Sequence, residues 1–450
     1  MEDRRKTKHR QYDGIASREQ HGRRRTMPDA PSPRSDADRA HRRAKVQNRY
    51  SAGMAPETKS KPGEDAADRI LRRDEVRRAR LRAPRYYGID IPFLVISLVL
   101  LCVGLIMMYS ASYAWAIYDT GNANYYINRQ LLFAVVGVVF MVVITFFDYR
   151  IMKKLLWLYM LIVLAMLIMV SVIGLEGGGA KRWINAGIFT LQPSEFAKLG
   201  VIWFLAWIYD KAGARVKSFT WGILPLAGIL FVVDAFLVTQ KHISALLLVT
   251  LSGAAVAFYA GVNWKWLAGV GAAGAGGVSL LVAFLPNFEY IRARLAIFRD
   301  PFSDPLDIGY QTVQSIYAVS SGGLFGLGLG RSVQKQLFLP ETQNDYVFSI
   351  VCEELGLVGA LMIIALFAAF IICGFRIAMR VKDVFGKLLV SGIMTLLAMQ
   401  VLLNIMVVTN AFPVTGVSLP FFSYGGSSLV LLMIEVGIVL CVSRQAEKTY

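Results

Sequence analysis

Histidine is nearly absent. Of four in the chain, His9, His21 and His41 fall in the N-terminal tail, leaving His242 alone in the remainder. A Ser-His-Asp relay and a histidine-ligated metal are thereby nearly excluded. Cysteine is as scarce: Cys102, Cys352, Cys373 and Cys441 all lie in apolar stretches with no paired spacing, so neither a disulfide framework nor a zinc site is indicated. Charge is thin too, at 18% of residues against roughly a quarter in soluble domains. The glycines of "GLFGLGLGRS" follow no strand, which argues against a dinucleotide fingerprint. No signal-peptide pattern opens the chain, so the first long apolar block is expected to serve as the membrane-entry signal.

What is abundant is hydrophobic sequence. It makes up 55% of the chain, mean hydropathy is +0.49, and the apolar residues gather into blocks near the ~20 residues a helix needs to cross ~30 Å of hydrocarbon. Ten blocks are expected as transmembrane helices: Ile91 to Ser110, Gln130 to Phe147, Leu155 to Gly174, Ser194 to Tyr209, Trp221 to Val238, Ile243 to Val262, Trp266 to Leu285, Tyr346 to Gly374, Leu388 to Val408 and Leu429 to Val442. The expected fold class is an all-α polytopic membrane protein over residues 87–445, behind a tail of residues 1–86.

Orientation follows from Lys and Arg. They concentrate between spans two and three (Arg150, Lys153, Lys154), four and five (Lys211, Arg215, Lys217), and eight and nine (Arg376, Arg380, Lys382, Lys387), which assigns those loops to the cytoplasm. Both termini are then cytoplasmic, and the large segment from Pro286 to Asp345, between spans seven and eight, is extracellular. The tail carries about 25 Lys and Arg against about 13 acids up to Arg85, lacks an apolar period and is expected to be disordered. Its basic run abuts the first span, where each cation near anionic lipid contributes ~1 kcal/mol, so membrane lipids rather than nucleic acid are its expected partner.

Polar residues on the expected outer side concentrate in four segments. "GGGAKRWINAGIFTLQPSEFAKLG" places Pro193 at a helix start and sets Glu195 and Lys198, three apart, on one helix face. "FRDPFSDPLDIGYQ" clusters Asp300, Asp304 and Asp307. Asp300 and Asp304 each precede a proline, which biases them toward extended backbone, whereas Asp307 suits solvation of the turn before Gly309. Asp300 also follows Arg299, as an ion-pair partner or turn former would. "LGRSVQKQLFLPETQNDYVFSIVCEELG" carries Lys335 and, just inside span eight, Glu353 and Glu354. "NAFPVTGVSLPFFSYGGSSL" is a Pro/Gly/Ser-rich loop that contains Ser423. Ionisable groups within spans are costly and face a bundle interior or a wet cavity, which singles out Asp234, Glu353, Glu354 and Glu435. Glu353 and Glu354 read equally as interhelical polar contacts that fix packing, and Asp234 and Glu435 read first as such contacts.

Five stretches in order, "RWINAGIFTLQPSEFAK", "DPFSDPLDIGYQTVQS", "GGLFGLGLGRSVQKQLFLPET", "DYVFSIVCEELGLVG" and "PVTGVSLPFFSYGGSSL", resemble the SEDS family (shape, elongation, division and sporulation), the FtsW, RodA and SpoVE group. The resemblance covers all the expected helices, and "GLGRSVQK" is more like the division and sporulation branch. There is one departure. Where many members have a "QPDLGT"-like stretch, this chain reads "QKHISA", with Lys241 and His242 in place of Pro and Asp, so no role for that aspartate carries over. His242 reads first as a packing or hydrogen-bonding residue, and Lys241 adds cationic character.

The resemblance implies a peptidoglycan glycosyltransferase of the cytoplasmic membrane that polymerises lipid II at the outer face, in cell division or sporulation. It implies as partners a class B penicillin-binding transpeptidase and other divisome proteins. It also implies that Asp304, the Asp-Pro shortly before "GYQ", is the catalytic carboxylate. The chemistry agrees: one general base for the attacking sugar hydroxyl is worth ~100- to 10,000-fold, and inversion at the anomeric carbon needs no second, nucleophilic carboxylate. The departing diphosphate needs cations, for which Lys198, Arg182, Arg292, Arg294 and Lys335 are candidates. Glu195, Glu353 and Ser423 complete the candidate substrate-binding set. No metal ligand set is expected, although a divalent cation such as Mg or Mn, near acids such as Asp304 or Glu353, would suit a diphosphate. Gly356, Gly359 and Ala360 would admit a partner's single span against helices eight and nine, or pack within the bundle. A lipid II flippase is the alternative reading, since buried acids also mark transport paths. A scaffold without activity would tolerate change at every outer acid.

Overall fold

A computed structural model describes residues 88–446 apart from 178–179, 186, 188–189 and 285–288. The basic tail, and with it the expectation of disorder, lies outside the described residues.

Helix α1 (Ile91–Thr120) starts where Asp90 Oδ1 accepts from Phe93 N at 3.1 Å, with a proline in the first turn, and stops at Gly121, whose φ is 68. It is followed by α2 (Tyr125–Phe146), a short 3-10 turn (Tyr149–Ile151) and α3 (Met152–Ile173). Three short strands, β1 (Leu175–Gly177), β2 (Ala180–Asn185) and β3 (Thr190–Leu191), then pair antiparallel in the order β1-β2-β3, with Ile184 opposite Leu191. The remaining helices are α4 (Pro193–Ala212), α5 (Phe219–Thr239), α6 (Ile243–Tyr259), α7 (Trp264–Phe284), α8 (Glu289–Arg299), α9 (Tyr310–Ser321), α10 (Val347–Arg380), α11 (Val384–Val408) and α12 (Gly426–Gln445).

The chain is predominantly helical, as expected, but the all-α expectation is corrected by this sheet. A segment too short and polar to cross a bilayer satisfies its backbone groups by pairing with itself at the end of the bundle. The segment expected as one large loop between spans seven and eight likewise carries α8 and α9. Among the described residues eight helices are long and apolar enough to cross a membrane: α1, α2, the stretch from the 3-10 turn through α3, α5, α7, α10, α11 and α12. Of the other two expected spans, α6 has 17 residues and α4, at 20, carries Glu195, Lys198, Asp210 and Lys211.

The core lies around α11 and α12, the most deeply buried of the apolar helices, whereas none of the described residues of α7 is fully buried. Helix α11 packs on α4, α6 and α10, and α12 packs along α2. At one end of the bundle, Lys153 Nζ lies 2.8 Å from Asp210 Oδ2 and 3.6 Å from Asp383 Oδ1, and Arg380 pairs with Asp90. The ends of α4 and α10 and the starts of α1 and α3 therefore meet there. Gly356, Gly359 and Ala360 are buried within the chain, Gly356 against the backbone of Leu324 and Gly326, so they do not offer a face to a partner's helix.

Candidate functional site

The opposite end of the bundle holds a cavity of 1130 Å³. Helix α4 contributes first: Pro193 fixes its start, and Glu195 and Lys198 come round on one face as their spacing requires. Lys198 Nζ sits 2.7 Å from Glu195 Oε2, and Lys198 is 2% exposed. Strand β2 adds Arg182, Trp183 and Asn185, and α8 adds Arg294. The α5–α6 turn adds Lys241 and His242, the segment before α10 adds Glu341, Asn344 and Asp345, and α2 adds Arg129. Thr415 to Ser418 and Tyr424 to Gly426, from the loop between α11 and α12, close the wall.

The lining cations are Arg129, Arg182, Lys198, Lys241 and Arg294, against Glu195, Glu341 and Asp345 as acids. With Glu195 neutralised by Lys198, the wall is net positive, which suits an anionic ligand. His242 stays neutral: burial, then the nearby Arg182 and Lys198 cations, push its pKa down to about 3. Its Nδ1 has no hydrogen-bond partner. Arg182 Nη2 donates to Lys241 O at 2.7 Å and so fixes the turn that carries both residues. Asp345 moves the other way. Burial pushes its carboxyl up to about 6, Glu341 adds to this, and Arg294 and Arg182 oppose it.

The loops are held by two buried amides. Asn404 on α11, 1% exposed, donates through Nδ2 to Asp345 O at 2.8 Å and to Val417 O at 2.7 Å, tying together the two segments that flank the cavity. Gln130 on α2 donates to Ser423 O at 3.1 Å and accepts from Gly425 N at 3.2 Å. Gly416 has φ +67, and a Cβ there would lie 3.0 Å from Asp345 Oδ2, so this approach needs glycine twice over.

Four of the residues expected from sequence, Arg182, Glu195, Lys198 and Arg294, come together in this cavity. Arg292 does not line it. It lies two positions from Arg294 on α8, which points it elsewhere, and its Nη1 donates to Val282 O at 2.9 Å near the end of α7. Lys335 and Glu353 are also turned away. Lys335 Nζ pairs with Glu354 Oε1 at 2.7 Å, and Glu353 accepts from Val333 N at 2.9 Å and from Ser332 Oγ, as buried carboxylates at the start of a span require. Ser423 Oγ accepts from Leu419 N at 2.7 Å, and Ser423 borders a small polar space beneath the cavity together with Glu195, Lys198 and Glu435.

Asp304 is half-buried at the end of a 3-10 turn (Pro301–Ser303), where its backbone O accepts from Gly309 N at 3.0 Å. It does not line the cavity, although Ile308 and Gln311 just beyond it do. Asp300 caps the same turn, accepting from Phe302 N at 3.2 Å, the turn-forming role its sequence suggested. Asp307 borders a second cavity of 330 Å³, which shares Arg294, Ile308, Gln311 and Val414 with the first. Sequence reasoning passed over Asp345, Asn404 and Gln130. For Asp345 the available signal was an acid at the last position before an apolar span, within a segment already marked as polar. Among the described residues no group of three or more His, Cys, Asp or Glu side chains is placed to hold a metal ion.

A bundle of apolar helices with a charged cavity at one end defines a multi-pass membrane protein. The chain belongs to the FtsW/RodA/SpoVE family, whose model, described as a cell cycle protein, matches residues 92–448. It is similar to stage V sporulation protein E of Bacillus subtilis, at 40% identity over 357 residues, covering 79% of this chain and 97% of that protein. It is also similar to the probable peptidoglycan glycosyltransferase FtsW of Geobacter metallireducens, at 37% identity, covering 80% and 96%. Among solved structures, a chain of a peptidoglycan synthase complex described as coordinating polymerization and crosslinking matches with TM-score 0.67 and 27% identity, covering 80% of this chain and 98% of that one. The rod shape determining protein RodA of Thermus thermophilus matches with TM-score 0.60 and 25% identity, covering 81% and 100%.

Proposed function

We propose that this chain is a peptidoglycan glycosyltransferase that polymerises lipid II at the outer face of the cytoplasmic membrane, in cell division or sporulation. The observation that carries this reading is the cavity. Its net positive wall, to which Arg129, Arg182, Lys241 and Arg294 contribute beside the Lys198–Glu195 pair, suits a polyprenyl diphosphate leaving group beside a sugar. The names of its relatives, peptidoglycan glycosyltransferase among them, point the same way. A penicillin-binding transpeptidase is the proposed partner, supported by the likeness to a polymerising and crosslinking complex. Ten crossings with both termini cytoplasmic are supported by α4 itself: Glu195 at its start lines the cavity, while Asp210 near its end pairs with Lys153 at the other end.

Asp304 is the proposed general base. What supports this is that its loop reaches the cavity through Ile308 and Gln311, close in sequence to the half-buried Asp304. The test is reconstitution of the purified protein with labelled lipid II, scoring glycan length and transbilayer movement together. Asp304→Asn should lower polymerisation by ~100-fold or more while substrate binding persists. Near-normal glycan synthesis by that variant would remove Asp304 from the role. Lipid movement without polymer would favour the flippase reading.

A further inference from the structure

Helix α10 is broken near its start. At Gly356 φ is 69 and ψ −170, and the helix resumes at once. Such a break leaves carbonyls before it and amides after it without helical partners. The turn that follows α9 supplies them: Leu327 N and Gly328 N donate to Glu353 O and Glu354 O, both at 3.0 Å, and Leu357 N and Val358 N donate to Gly323 O and Leu324 O at 2.9 and 3.1 Å. Gly326 N closes the turn on Gly322 O at 2.8 Å. The backbone of residues 322–328 is thereby stitched into the gap in α10.

Its side chains point away from the protein. Leu324, Phe325 and Leu329 are exposed, Phe325 at 80%. Beside them on α10, Leu357, Val358 and Leu361 are exposed as well, and these belong to an apolar span. Water would penalise such a surface, and hydrocarbon excludes most loops because their backbone groups are unpaired. Here the broken helix pairs the Leu327 and Gly328 amides and the Gly323 and Leu324 carbonyls, which lowers the cost of bringing this turn into hydrocarbon.

We infer that the turn from Gly322 to Leu329 is a lipid-seated element, with Leu324, Phe325 and Leu329 immersed among acyl chains of the leaflet on the cavity side. The patch runs into the exposed apolar side of α10, a helix long and apolar enough to span hydrocarbon, and this continuity argues for lipid as its occupant. The consequence reaches the site. The next segment is clamped by Glu353 to Ser332 and Val333 and by Glu354 to Lys335, and it leads on to Glu341 and Asp345 in the cavity wall. The membrane thus helps to hold that wall in place. Lipid seating of this turn is independent of the reaction the cavity supports.

The test uses the full chain in phosphatidylcholine vesicles whose acyl chains are brominated, with tryptophan introduced as Phe325→Trp and, separately, as Leu329→Trp. The emission above that of the eight native tryptophans is the readout. At either position it should be quenched about twofold by brominated lipid and little affected by aqueous acrylamide, as for a ring ~5–10 Å below the headgroups. Emission at both positions that responds to acrylamide and not to bromine would overturn the inference. So would shielding from both quenchers in the chain alone, which would assign the face to protein.

Discussion

Lys198 and Glu195 form a pair whose value is more than additive. Removing one partner of a buried ion pair strands the other charge, at a cost of ~3–5 kcal/mol, whereas removing both is often neutral. Lys198→Met alone is therefore expected to lower the melting temperature in detergent. Lys198→Met with Glu195→Gln should restore melting without restoring polymer, because the cation facing the cavity is still missing. A double variant that regains activity would make the pair purely structural. Asp345 gives a second residue-scale expectation. With its carboxyl raised to about 6, the ionised form is present above that pH and lost as pH falls through it. If the cavity needs that charge, the rate of polymerisation should fall on the acid side with a midpoint near 6, and Asp345→Asn should abolish that limb. The sign for stability is opposite: the folded state holds the proton more tightly than the unfolded chain, so Asp345 disfavours folding as pH rises from about 4 to about 6.

Among the elements, α10 carries the most unusual backbone. A side chain at Gly356 would be strained by the positive φ, and its Cβ would lie 2.3 Å from Gly326 N and 2.6 Å from Leu324 O. Neither obstacle is the far end of a flexible side chain, so neither can move cheaply. Gly356→Ala should therefore destabilise by at least the ~1–3 kcal/mol of a strained conformation, and it should expose the turn of residues 322–328 to protease before the rest unfolds. Unchanged melting and unchanged cleavage would show that the stitching of this turn contributes little.

At the scale of the molecule, charge is sorted between two ends. One end gathers Lys153, Asp210, Asp383, Asp90 and Arg380 in ion pairs, and the other gathers the cavity. If the first faces the cytoplasm, reporter fusions near Lys154, Lys217 and Lys382 should report inside, and fusions near Asp304 and Thr415 outside. A reporter near Thr415 found on the same side as one near Lys382 would remove a crossing and with it the outward-facing cavity.

The helices were legible in the sequence because a bilayer imposes a one-dimensional rule: enough consecutive apolar residues to cover the hydrocarbon, with Lys and Arg at one set of ends. The Lys198–Glu195 pair was legible for a similar local reason, since three residues on a helix is one face. Arg292 and Lys335 were misjudged because charge type alone does not say where a side chain goes. Arg292 is set by its register on α8, and Lys335 by a buried glutamate nineteen positions along the chain. Asp345, Asn404 and Gln130 gained their places only when segments distant in sequence met, as when Asn404 on α11 received the carbonyls of Asp345 and Val417. The sequence by itself determined the apolar helices and the kinship, both of which are read from local pattern. The tertiary structure decided which charges share a cavity and which neutralise one another in the core, because in the low dielectric of a membrane interior an ionised group needs a partner, and folding alone chooses it.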